Sequence, residues 1–330
     1  MPVDASAQFV WVAITGDGKL VQLDLQQGTI EFLAAVATVP LQLDEPLTLQ
    51  LSPGGRLAAV ANTYGRFGQV IDLTTGAPTM MLDRGNYHED VCQFSVAFFT
   101  HADRLLLIHA TDWNGLDISD PLTGAPLTAR EPTSYRRGEP RPEHYLDYFH
   151  CGLSVSPNQE WIVDNGWVWH PWGYVRSWSL SHWHGTNCWE SEDGPSLRTL
   201  CDRSYLWDAA LCWVNDTTLA VWGEGRDDEA MLPAVQIFDV ASGIHLRWFA
   251  GPDVAPYNVW PPESGRRGWM VYDRWLFAVS PQHGTGIWDV MGGEPLHHDP
   301  ACIPIVYHRV VYPLVVDVSC PSHTEQRRAR

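Results

Sequence analysis

"QVIDLTTG", residues 69–76, reads as the end of a β-strand and the turn that follows it. Apolar residues alternate up to an acid, and a short polar segment then closes on glycine. The phrase recurs as "VQLDLQQG" (21–28), "LDISDPLTG" (116–124), "VQIFDVASG" (235–243) and "GIWDVMGG" (286–293), with a degenerate sixth copy, "VRSWSLSHWHG", ending at Gly185. The closing glycines at 28, 76, 124, 185, 243 and 293 stand 48, 48, 61, 58 and 50 residues apart, and no interval has room for another copy. Ahead of four of these phrases lies a pair of apolar stretches joined by a polar turn: "LTLQLSPGGRLAAVAN" (47–62), "FSVAFFTHADRLLLIHA" (94–110), "CGLSVSPNQEWIVDNG" (151–166) and "AALCWVNDTTLAVWGE" (209–224). A further strand follows the glycine, as in "PTMML" (78–82) and "HLRWF" (245–249). The pattern predicts six all-β units of four short antiparallel strands.

Such units resemble the blades of WD40-type and related bacterial β-propellers, with "IWD" (287–289) and "IFD" (237–239) in the place of their Trp-Asp. The resemblance covers nearly the whole chain. It implies a single propeller over residues 1–320, with six blades, or seven if the C-terminus adds a partial one. No Gly-His dipeptide occurs, so the buried His-Asp network of that family is not carried over. The N-terminus offers three strands without an innermost one, and the C-terminus ends in "IPIVYH" (303–308) and "VVYPLVVDV" (310–318). Exchange of terminal strands would close the ring and remove its sheet edges. Residues 321–330, "PSHTEQRRAR", carry no apolar period and are expected to form a flexible tail.

Composition narrows the partners. Of the 330 residues 45% are hydrophobic, enough to build a core, and 39 acids against 21 bases give a net charge of −18. Nucleic acid repels that balance unless a basic face is segregated, and the basic clusters are short and scattered. No apolar run reaches the roughly 20 residues that span a bilayer, and the N-terminus has no basic region ahead of an apolar one. Seven cysteines without a Cys-x-x-Cys pair suit reduced, buried thiols, which points to the cytoplasm.

Strand order gathers on one side the loops between second and third strands and those leading to the next unit, and propellers commonly bind there. "WVWHPWG" (167–173) spans such a loop, where other units carry polar turns. Trp169, His170 and Trp172 are therefore candidate partner contacts, with Trp113, Tyr64, Tyr257 and Trp260 on other loops of that face. Trp161 and Trp178 fall on strand positions that fill the space between blades. Aligning the innermost strands puts Gln93, His150 and Asp208 just before their strands; Asp112, Asn165 and Glu224 end the second strands. Together these would form a polar, mostly acidic ring at the channel mouth, able to meet a cation or a basic group. His182 and His184 share a face if they lie on a strand, with Cys188 and Cys201 as further ligands, but no second close pair completes a zinc site.

No nucleophile elbow and no glycine-rich phosphate loop occurs, so nothing points to catalysis or to a bound cofactor. The expected function is a non-catalytic interaction or scaffold module that offers an aromatic and acidic loop face to a protein partner. The alternatives are a metal-dependent hydrolase or lyase built on the channel-mouth acids and His150, and a sensor of a small molecule or sugar that stacks on the Trp169–Trp172 loop.

Overall fold

The computed structural model describes residues 10–38, 40–131, 135, 138–169, 172–204, 209–224, 233–251, 268–280 and 283–302; the side chains at 204, 224, 268–270, 272 and 280 fall outside that description. The described residues are all-β apart from two short helices, and their strands form six antiparallel sheets in a propeller-like arrangement. Sheet 1 holds β1 (Val10–Ile14), β2 (Lys19–Asp24) and β3 (Thr29–Ala35). Sheet 2 holds β4 (Leu47–Leu51), β5 (Leu57–Asn62), β6 (Phe67–Asp72) and β7 (Ala77–Asp83). Sheet 3 holds β8 (Val96–His101), β9 (Arg104–Asp112) and β10 (Gly115–Ser119). Sheet 4 holds β11 (Phe149–Val155), β12 (Trp161–Val168), β13 (Trp172–Ser179) and β14 (Arg198–Ser204), with α1 (Leu180–Gly185) and α2 (Glu190–Asp193) between its last two strands. Sheet 5 holds β15 (Leu211–Trp213), β16 (Thr218–Glu224), β17 (Pro233–Asp239) and β18 (Ile244–Ala250). Sheet 6 holds β19 (Gly268–Tyr272), β20 (Trp275–Ser280), β21 (Gly284–Asp289) and β22 (Pro295–Asp299).

Every strand pairs with its neighbour in sequence, and the two faces of each sheet are both apolar. The period-2 alternation of a strand sends successive side chains to opposite faces. In β5, Ala58 and Val60 enter a core shared with sheet 1, while Leu57, Ala59 and Ala61 enter one shared with sheet 3. The same division repeats along the chain. Ala97, Phe99, Leu106 and Ile108 of sheet 3 meet Leu153, Ile162 and Trp178 of sheet 4. Val163 and Val175 of sheet 4 meet Trp213, Leu219 and Val221 of sheet 5. Trp222, Val235 and Ile237 of sheet 5 meet Leu276 and Ala278 of sheet 6.

The recurring phrase folds as one turn. The peptide N–H of each closing glycine donates to the carbonyl of the aspartate four residues earlier: Gly28 to Asp24 (2.8 Å), Gly76 to Asp72 (2.8 Å), Gly124 to Asp120 (2.8 Å), Gly243 to Asp239 (2.9 Å) and Gly293 to Asp289 (2.6 Å). The five glycines have φ between +66° and +81°, a left-handed conformation that costs other residues about 1–2 kcal/mol. Each aspartate side chain accepts from backbone N–H groups two or three residues on, such as Gln26 and Gln27 for Asp24, or Thr74 for Asp72. Arg56 pairs with Asp72 across the hairpin, as Arg274 does with Asp289.

Two expectations are corrected. The copy ending at Gly185 is no hairpin turn: Ser179 caps α1 by accepting the His182 N–H (3.3 Å), and Leu180 and Trp183, three residues apart, are buried against sheet 3. Nor does every sheet show four strands. Sheet 1 shows three among the described residues, as the N-terminal segments predict: its Asp24–Gly28 turn matches the Asp72–Gly76 turn between the last two strands of sheet 2, so the innermost position is the one its described strands leave open. Sheet 3 also has three, with a single bridge between Ser119 and Pro126 where a fourth would run. The C-terminal strands at 303–318 and the tail at 321–330 lie outside the described residues. Among the described residues no helix is long and apolar enough to cross a membrane.

Candidate functional site

One end of sheets 2, 3 and 4 carries a continuous aromatic cluster. Phe149, at the start of β11, is its buried floor and stacks on Trp167 of β12 (centroids 4.2 Å, planes 7° apart). Tyr87, from the connection between β7 and β8, lies parallel to Phe149 at 5.9 Å. Trp169, just beyond β12, stands edge-on to Phe149 (5.3 Å), Trp167 (5.4 Å) and His88 (4.7 Å). Trp113, in the turn from β9 to β10, touches Phe149 (4.5 Å) and Tyr87 (5.2 Å), and Tyr145 extends the row (6.5 Å from Trp113). The floor is dry, but the rim is open: Tyr87 is 48% exposed and Trp169 40%.

The loop that brings Tyr87 and His88 over Phe149 is held by a buried arginine. Arg84, 4% exposed, donates through Nε to the Gly65 carbonyl (2.8 Å), through Nη1 to Gln93 (2.9 Å), and through Nη2 to Glu89 (2.8 Å) and Cys92 (2.6 Å). Burial pulls its pKa below the usual guanidinium value. Trp167 Nε1 donates to Cys92 Sγ (3.0 Å), tying sheet 4 to the same loop. His88 takes a positive φ of 54° within it.

Of the candidate partner contacts, Trp113 and Trp169 belong to this cluster. Trp172 lies on β13 and not in the loop, paired with Val168, with its ring half-exposed. Tyr64 bridges Gln93 through the backbone at the foot of the Arg84 loop. His170, Tyr257 and Trp260 lie outside the described residues.

Four of the six channel-mouth residues, Gln93, Asp112, His150 and Asn165, have described side chains. His150 is inside β11 and not before it, because a bulge between Phe149 and Gly152 shifts the register. Its ring is 2% exposed, with Nδ1 2.5 Å from Asp164 Oδ2, and Asp164 Oδ1 also accepts the Cys151 N–H (3.1 Å). Asn165 is likewise committed: Nδ2 donates to the Ala209 carbonyl (3.0 Å), and Oδ1 accepts from Arg203, which ties sheet 4 to the start of sheet 5. Gln93 and Asp112 remain partly accessible beside the aromatic cluster. Asp208 and the Glu224 side chain lie outside the description.

Beside His150, Tyr148 accepts the Gly166 N–H (3.0 Å) and donates to the Tyr174 carbonyl (3.3 Å), while the Arg176 guanidinium lies 4.2 Å from its ring centre. Burial, reinforced by the Asp164 charge, pushes the Tyr148 phenol well above its ordinary range. His182 and His184 sit on α1, where residues two apart point to different sides, so the shared strand face is corrected. No group of three His, Cys, Asp or Glu side chains with the placement to hold a metal occurs among the described residues.

Loop composition exposes part of this site in the sequence: "DRGNYHED" (83–90) and "WVWHPWG" are both aromatic and long-sided for turns. Nothing in it signals that Arg84 fixes the loop, that Phe149 is the shared floor, or that His150 is paired with Asp164.

No protein-family model matches the chain, and no curated protein matches it. Solved structures align over most of its length. They include the computationally designed protein Ika8 (12% identity, 91% of this chain and 76% of that one, TM-score 0.48) and a chain of a mitotic checkpoint complex (10% identity, 89% and 78%, TM-score 0.48). AztD of Citrobacter koseri is a third (16% identity, 86% and 66%, TM-score 0.47). At these identities and scores they lend no residue role to this chain.

Proposed function

We propose that the chain is a six-bladed propeller, closed by strands from both termini, that acts without catalysis as a cytoplasmic interaction module. Its binding face is the aromatic rim of Tyr87, Trp113 and Trp169, with Trp172 of β13 as a further exposed ring beside it. The observation that carries the reading is the pairing of a rigid, dry base with half-exposed rings above it. Large aromatic side chains left 40–48% exposed on fixed loops cost solvation in isolation and return it on docking, as interface hot spots do. The net charge of −18 favours a partner surface that carries basic groups. The test is capture from the native cell with wild-type chain and with Trp169→Ala. A stoichiometric protein retained by wild type and lost by the variant, assayed where both chains are folded, supports the reading; a partner held equally by both refutes this face as the site.

A further inference from the structure

We infer that the corner between Tyr87, Trp113 and Trp169, with the Asp112 carboxylate at its edge, receives an arginine side chain of the protein partner. The inference rests on the binding face proposed above and specifies what that face reads.

Tyr87 and Trp169 stand with centroids 6.4 Å apart and planes at 72°, so two ring surfaces meet over the Phe149 floor. The acid is adjacent. Asp112 Oδ1 lies 3.9 Å from where a Cβ on Gly85 would stand, which puts the carboxylate against the loop that carries Tyr87. Its partner is the Trp113 N–H (2.8 Å), and no cationic side chain pairs with it among the described residues. Burial raises its pKa, as it does for a half-buried carboxylate without a counter-charge. A cation that arrives there relieves this cost while its flat face covers a ring.

The chain builds the complete motif elsewhere. Arg130 lies 5.0 Å from the Trp189 ring centre and donates to Glu192 (2.6 Å), and Arg66 lies 4.8 Å from the Phe67 ring centre and donates to Asp83 (2.6 Å). At the corner of Tyr87, Trp113 and Trp169 the rings and the carboxylate are present, and among the described residues no guanidinium lies over these rings, the nearest along the row being Arg141 over Tyr145. Arginine fits better than lysine, because a planar guanidinium stacks on a ring and still offers its N–H fork to a carboxylate, whereas an ammonium is a compact, strongly hydrated charge.

The experiment pans a displayed random heptapeptide library on the full chain, then remakes the best binder with its arginine replaced by lysine or by citrulline, the uncharged isostere. Recovered peptides are expected to share an arginine. Citrulline should weaken binding to wild type about tenfold, or about 1.4 kcal/mol, and leave binding to Asp112→Asn nearly unchanged. The Asp112→Asn chain should melt at or above the wild-type temperature, since it removes an unpaired half-buried charge. Equal binding by the lysine or citrulline peptide, full arginine dependence in Asp112→Asn, or a library with no arginine-dependent binder would overturn the inference. A binder lost in Trp169→Ala but indifferent to citrulline removes the arginine assignment and keeps the binding face. One unaffected by Trp169→Ala removes both.

Discussion

Replacing Arg84 by alanine should do more damage than its place in a loop suggests. The side chain is 4% exposed and satisfies four backbone carbonyls, of Gly65, Glu89, Cys92 and Gln93, with one guanidinium. Hydrogen bonds from a charged donor contribute about 1.5–3 kcal/mol each before the cost of burying the charge, and that cost is several kcal/mol. Truncation regains the desolvation cost but strands the carbonyls, of which those nearest the surface recover water. A net loss of about 3 kcal/mol follows. For a chain of 330 residues, whose unfolding entropy is about 2.1 cal/mol/K per residue, that is roughly a 4 °C fall in melting temperature. Arg84→Lys keeps the charge but reaches fewer carbonyls, and should recover less than half of the loss. Hydrogen exchange gives the local readout: amides of residues 85–95 should lose protection, and the Trp169 ring, which leans on His88, should become more accessible to a quencher. Should Arg84→Ala melt within a degree of wild type with unchanged protection at 85–95, the clamp does not hold the loop and the rigidity of the aromatic base needs another source.

Further outcomes follow from the same contacts. Trp178→Ala, which empties a fully buried site between sheets 3 and 4, should cost about 3–5 kcal/mol in denaturant melts, whereas Trp169→Ala, open on one side, should cost about 1–2 kcal/mol; equal losses would make the loop ring part of the core. Acid should act partly through the hairpin aspartates. The Arg274 guanidinium beside Asp289 holds its carboxyl down to about 2, and Arg56 holds Asp72 below the usual carboxylate range. A folded-state pKa below the unfolded value near 3.9 stabilises fully above about pH 4 and is lost as pH falls toward 2. Melting temperature measured over that window should therefore fall more steeply in wild type than in Asp289→Asn. If strands from both termini close the ring as proposed, deleting residues 303–318 should leave an aggregating chain with an exposed sheet edge, while deleting 321–330 should leave the melting temperature within a few degrees of wild type.

The sheets were legible because each carries a local signal. An aspartate and a glycine four residues apart fix a hairpin wherever they fall, and five of the six phrases have that spacing and fold that way. The sixth lacks the aspartate, and its Leu180 and Trp183 stand at helical spacing behind a serine that can cap, so the local signal there is helical and outweighs the repeat. The place of His150 inside β11 is not legible, because a bulge adds residues to a strand without leaving a composition mark. The aromatic site was half legible. Its rings come from segments as far apart as Tyr87 and Trp169, and alternation along a strand states which face a residue takes but not which distant ring it meets.

The shared cores also bear on how the chain reaches its fold. Every strand pairing joins neighbours in sequence, so each sheet can form from a short local segment with little loop-closure entropy to overcome. A sheet on its own, however, shows water two apolar faces, since Ala58 and Val60 need sheet 1 while Leu57 and Ala59 need sheet 3. The smallest species that shelters any core is thus a pair of adjacent sheets, and each sheet added covers one open face while presenting another. Assembly then advances as a front, whose growing end stays adhesive until the last sheet docks.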